Sequence, residues 1–127
     1  MQENQLFEYA VIRVVPKVER EEFLNVGVIL LCSNQKFLRA RIELNQTRLR
    51  ALYSEIEMDN LKEYICSFEL ICEGGSLGGS IGMLPMPERF RWLTSTRSTI
   101  VQTSKVHPGL CSDPNEMLER LFTQLVG

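Results

Sequence analysis

Arg13 interrupts an otherwise apolar run, FEYAVIRVV from Phe7 to Val15, and an arginine in such a place calls for a partner because burying its charge alone is costly. The nearest candidates follow Pro16, in the charged stretch Arg20-Glu21-Glu22 and in Asn25-Val26-Gly27. Two readings fit them. The plainer is an ion pair of Arg13 with Glu21 or Glu22 that fixes a strand connection. The functional one is a ligand site built from Arg13, Glu22 and Asn25, in which the glutamates could do acid or base work, although nothing in the sequence signals a perturbed carboxyl. A second constellation, RFRWLTSTRST from Arg89 to Thr99, combines three arginines, a tryptophan and a run of hydroxyls. Forked guanidinium donors and short hydroxyls together grip anions, so Arg91, Arg97, Ser98 and Thr99 are the preferred candidates for a ligand or partner site. The competing reading makes Phe90, Trp92 and Leu93 core anchors of a short helix, with the hydroxyls satisfying irregular backbone.

Other chemistries find less support. GGSLGGSIG, from Gly74 to Gly82, lacks the Gly-Lys-Ser/Thr ending of a phosphate loop and follows a helix rather than a strand, so it reads as a flexible connection. There is no Cys-x-x-Cys pair, and the single histidine, His107, offers with Cys111 at most two metal ligands. His107 is also the one base available to a nucleophilic thiol, and no cysteine has a catalytic signature around it. A platform for single-stranded nucleic acid needs several exposed aromatics in a basic groove, which one tryptophan in an acidic chain does not suggest. No cofactor is implied.

The elements that must position these residues follow from hydropathy patterning. Phe7–Val15 is rich in β-branched and aromatic residues and reads as a central strand; NVGVILLC, from Asn25 to Cys32, is a second. Ser33-Asn34-Gln35 turns into KFLRARIEL, where Phe37, Arg39, Arg41 and Glu43 face one way and Leu38, Ala40, Ile42 and Leu44 the other. These strands form an antiparallel meander. The period then becomes helical: Asn45 can cap a helix carrying Leu49, Leu52 and Tyr53, and Asp59 a second carrying Leu61, Ile65, Phe68 and Cys72 that stops at Gly74-Gly75. A helical turn over ERFRWL, a fourth strand from Thr99 to Val106 closed by His107-Pro108-Gly109, and a last helix complete the order. Asp113, Pro114 and Glu116 start that last helix, and Met117, Leu118, Leu121, Phe122 and Leu125 form its apolar stripe. The expectation is an α+β fold, β-β-β-α-α-β-α, with a mainly antiparallel sheet of about four strands and helices mostly on one face. The opposite face, with Arg39, Arg41 and Arg13, is then open to a ligand, a partner or a second copy.

Composition sets the outer bounds. At 127 residues, 44% hydrophobic and 24% charged, the chain reads as one domain, residues 1–127, with a packed core. A formal charge of -2 gives no overall attraction to nucleic acid or anionic lipid. MQENQLFEY does not read as a secretory signal, and the longest apolar run, Val26 to Cys32, is too short for a membrane span; a cytoplasmic protein is expected. Cys32, Cys66, Cys72 and Cys111 sit within apolar or helical patterns, as reduced thiols do.

The two ends, YAVIRVVPKVEREEFLNVGVILLC and RFRWLTSTRSTIVQTSKVHPGLCSDPNEMLERLF, resemble those of a bacterial family of uncharacterised proteins, domain of unknown function 3037. The matching positions are Arg13, Pro16, Arg20, Glu22, Asn25, Gly27, Trp92, Arg97, Ser98, Thr99, Pro108 and Gly109. The resemblance implies stand-alone bacterial proteins with genes for HipA-like kinases nearby, and brings no catalytic residues. The leading expectation is therefore a non-enzymatic interaction or accessory module, with a protein partner or self-association. The alternative is a protein or enzyme that binds a small molecule or phosphate through Arg13, Glu22, Asn25 and Arg97.

Overall fold

The structure, a computed structural model, describes residues 4–17, 22–95 and 99–127. Its strands are β1 (Gln5–Val14), β2 (Leu24–Cys32), β3 (Phe37–Ile42), β4 (Val101–Thr103) and β5 (His107–Cys111). The helices are α1 (Gln46–Leu52), α2 (Met58–Glu73), α3 (Gly79–Gly82), α4 (Met86–Leu93) and α5 (Pro114–Leu125). The strands make one antiparallel sheet in the order β3-β2-β1, with β4 and β5 both pairing the far side of β1. The α+β class and the opening meander are as the sequence predicts.

Alternation divides the sheet into two cores. Ala10, Ile12, Val14, Ile29, Leu31 and Leu38 point toward α2 and α4, where Leu61, Ile65, Phe68, Phe90 and Leu93 meet them. Phe7, Val28, Leu30 and Cys32 point the other way, against Leu118 and Leu121 of α5. The helix starts follow local rules. Asn45 accepts the Arg48 N–H (3.0 Å), and Asp113 accepts those of Asn115 and Glu116, with Pro114 supplying a preset φ. The α2 N-cap is Glu57 rather than Asp59, which sits in the first turn where its charge suits the helix dipole.

Three expectations need correction. The face carrying Arg39 and Arg41 is not open, because α5 lies along it. Gln35 donates to the Ser112 carbonyl (3.0 Å), Arg39 to Asn115 (2.9 Å) and Asn25 to the Leu125 carbonyl (3.1 Å), while Arg41 pairs with Glu119 (3.4 Å) and lies over the Phe122 ring. Second, His107-Pro108-Gly109 does not merely close the fourth strand but opens a fifth. Proline is tolerated at a sheet edge, and Gly109 lies so close to the Phe7 ring that a Cβ would sit 2.5 Å from it. The fourth strand is correspondingly cut to three residues, and Ser104 bridges the break: its N–H donates to the Val11 carbonyl and its hydroxyl accepts the Val11 N–H (2.9 Å). Third, the glycine stretch is a folded connection, with a 3-10 turn at Ser76–Gly78, the short α3, and Gly75 donating to the Gly82 carbonyl (2.8 Å). No helix among the described residues is long and apolar enough to cross a membrane.

Candidate functional site

A bulge in β2 brings Arg13 and Asn25 of the first constellation together. Ile12 pairs with Gly27 but Arg13 pairs with Asn25, leaving Val26 as the extra residue. The bulge shifts the alternation by one: Val26 joins the α2-side core, and Asn25 turns to the α5 side beside Arg13, where its amide reaches Leu125. The Arg13 guanidinium lies 4.3 Å from the centre of the Phe23 ring, so among the described residues an aromatic face rather than a carboxylate meets this charge. Nε of Arg13 and Oδ1 of Asn25 are buried and find no hydrogen-bond partner among the described residues. Glu22 lines a crevice with Pro16, Lys17, Leu52 and Tyr53. Arg20 and Glu21 lie outside the described residues, as do Arg97 and Ser98 of the second constellation.

The described part of that second stretch divides by role. Arg89 is only 7% exposed; its Nη1 donates to the carbonyls of Ile71 (3.4 Å) and Cys72 (3.3 Å), so it serves the open C-terminal end of α2. Arg91 is exposed on α4. The Thr99 hydroxyl donates to the Val101 carbonyl (2.7 Å) and lies 3.3 Å from the Tyr64 hydroxyl of α2. Thus Arg91 and Thr99 sit with α2 and α4, on the opposite side of the sheet from Arg13 and Asn25.

Next to Thr99 and Tyr64 the structure holds a groove of about 420 Å³ between α2 and α4. Asn60, Glu63, Tyr64, Ser67, Phe68 and Ile71 supply one helical face of it, and Trp92 and Leu93 the other wall. Trp92, 37% exposed, stands at the lip, while Phe68, Ile71 and Leu93 are buried. By sequence alone the α2 stripe reads only as core. A signal was present: Tyr64 and Ile71 extend the Leu61–Ile65–Phe68–Cys72 stripe around the helix, making it wider than one sheet face needs.

Two of the buried thiols are held toward their protonated form. Burial pushes the Cys72 thiol up to about 12, only partly offset by the Arg89 charge. Burial, and then the neighbouring Cys32 thiol, raises Cys111 as well. Among the described residues no group of three or more His, Cys, Asp or Glu side chains is placed to hold a metal ion.

In comparison with known proteins, the family model described as Protein of unknown function (DUF3037) matches residues 9–126. No curated protein and no solved structure matches the chain.

Proposed function

The chain belongs to the DUF3037 family of proteins of unknown function, and on that premise we propose that it works as a non-enzymatic interaction module, accessory to a larger protein. The α2–α4 groove carries this reading. Its floor is aromatic and aliphatic, its polar groups Asn60, Glu63 and Ser67 belong to α2, and Trp92 stands half-exposed at its lip. A tryptophan beside a mainly apolar pocket is the kind of feature around which protein interfaces concentrate their energy. From Asn60 to Ile71 the groove follows α2 for about 16 Å, the length of roughly three helical turns. The occupant that fits is an amphipathic helix of a partner, with apolar residues at i, i+3 or i+4, and i+7 entering the groove and a lysine or arginine meeting Glu63.

The family resemblance puts a HipA-like kinase forward as that partner. Titrating the purified protein into a HipA-like kinase from the same genome should give saturable association and a changed autophosphorylation rate. Trp92→Ala should weaken the association about tenfold or more. No association, or association indifferent to Trp92→Ala, would remove the groove from the reading.

A second reading, a small anion bound by Arg13 and Asn25 with Glu22 and Arg97 as its further residues, draws support from the two unpartnered polar atoms at the bulge. It predicts that inorganic phosphate or a small carboxylate raises the melting temperature of the protein but not of Arg13→Gln. Equal shifts in both proteins would dismiss it.

A further inference from the structure

Within the described sheet β3 is the outer strand beyond β2. The Glu43 N–H donates to the Val26 carbonyl (2.8 Å), which makes those two residues a hydrogen-bonded pair. Such pairs alternate along an antiparallel ladder, so Arg41 opposite Val28 and Arg39 opposite Leu30 also turn their peptide groups toward β2. Leu38 and Ala40 therefore turn theirs outward, where neither finds a backbone partner among the described residues.

Open edges invite further strands, and proteins usually blunt them. The other edge of this sheet is blunted: β4 has three residues, the ladder breaks at Ser104, and β5 carries Pro108. β3 has six residues in unbroken register, no proline and no bulge. Beside its free peptide groups is a notch of about 170 Å³, lined by Leu38, Arg39 and Ala40 of the strand and by Glu69, Cys72 and Glu73 of α2. The two flanks differ in charge. Glu69 and Glu73 are exposed on the α2 side. On the α5 side Arg39 is exposed and bonded to the neutral Asn115, so among the described residues no carboxylate balances it.

We infer that the β3 edge receives an extended segment of a partner protein, which adds a strand to the sheet with an acidic side chain facing Arg39 and a basic one facing Glu69 and Glu73. A second copy of β3 fits poorly. Paired antiparallel about a two-fold axis, the copies would bring their Arg39 and Arg41 side chains onto one face as like-charged neighbours. This edge is separate from the α2–α4 groove: at 100° per residue the notch residues and the groove residues of α2 lie roughly 160° apart around the helix.

The test uses the whole chain, ¹⁵N-labelled, and a capped ten-residue peptide with glutamate at every second position and valine or lysine between. On binding, exchange of the Leu38 and Ala40 amide protons should slow about tenfold or more. A control peptide with each glutamate replaced by lysine should bind about tenfold more weakly, and Arg39→Glu should reverse that preference. Ala40→Pro removes an outward N–H and leaves the ladder to β2 intact, so it should keep its circular dichroism spectrum yet lose the peptide. Trp92→Ala, in the groove, should leave peptide binding unchanged. Unaltered exchange at about 1 mM peptide, full binding by Ala40→Pro, or indifference to Arg39→Glu would each overturn the inference. So would a dimer in which those two amides are already protected, since the occupant would then be a second copy.

Discussion

On the α2 side of the sheet, elements that follow the strands in sequence supply the cover: α1, α2 and α4 bring Leu49, Leu61, Ile65, Phe68, Phe90 and Leu93 onto Ala10, Ile12, Val14 and Ile29. On the α5 side a single helix, far along the chain from β2 and β3, lies on a narrower apolar strip. Four polar contacts run along it, at Ser112, Asn115, Glu119 and Leu125, reaching back to Gln35, Arg39, Arg41 and Asn25. One layer is wide enough to define its own packing. The other needs polar registration, because a helix on a narrow strip can slide by a turn and still bury leucines. The difference accounts for why Arg39 and Arg41, which by sequence looked open to a ligand, bond to α5.

The largest test of this contrast compares the two cores. Phe90→Ala should cost about 3–5 kcal/mol, since the ring is buried among α2 and strand side chains that close only partly around a cavity. Leu61→Ala and Leu118→Ala, the same deletion at equally buried positions on opposite sides, should each cost about 2–5 kcal/mol, with Leu118→Ala the smaller because α5 can settle onto its narrow strip. Urea unfolding measures all three. A larger loss for Leu118→Ala than for Leu61→Ala would reverse the contrast.

A smaller effect separates backbone from side chain where the α2 layer is closed off. Gly74 ends α2 at φ 85°, ψ 167°, a region open essentially to glycine alone, and a Cβ there would collide with the Arg89 guanidinium. Gly74→Ala should therefore cost at least about 1–3 kcal/mol. In the Arg89→Met background the collision is gone but the backbone strain stays, so the cost should fall without vanishing. If the cost did not fall, Arg89 would not be packed against this turn in solution.

The contrast also explains what was legible in the sequence. Period-two alternation in KFLRARIEL gave the facing of Phe37, Arg39 and Arg41, and local caps gave α1 and α5, because both signals are written within a few residues. What covers the arginine-bearing face depends on a helix more than seventy residues downstream, and no local pattern encodes that. β5 was hidden because Pro108 and Gly109 are breakers by type, yet at an edge over the Phe7 ring neither breaks anything. Arg89 looked like an anion-binding arginine because composition cannot distinguish an exposed guanidinium from one turned onto the last carbonyls of a neighbouring helix. The bulge that turns Asn25 toward Arg13 leaves no mark in residue type, so the sequence brought the two near each other without showing that they share a face.

Smaller again is the start of α5. Asp113→Ala removes the acceptor for two amide protons and should cost about 1 kcal/mol, while Asp113→Asn should cost less. Because Asn115, which meets Arg39, lies in that same first turn, fraying there should also loosen that contact, and the Arg39 side-chain NH resonance should broaden in Asp113→Ala but not in Asp113→Asn.

The smallest effect bears most directly on polar registration. Arg41 lies 3.4 Å from Glu119 and 3.9 Å from Glu43, with its guanidinium 4.4 Å from the centre of the Phe122 ring. All three charged side chains are well exposed, so a Coulombic account allows the Arg41–Glu119 pair only about 0.2–1 kcal/mol and makes it weaken with salt. Stacking on Phe122 is less sensitive to salt because the ring contact also excludes water. A double-mutant cycle with Arg41→Ala and Glu119→Ala at low and high salt separates the two. If registration rests on the ion pair, the coupling should shrink toward zero at high salt while Arg41→Ala alone keeps a residual cost from the lost stacking. A coupling that persists at high salt would mean that α5 is held in place by shape on that side too, and the contrast between the two layers would then be one of width alone.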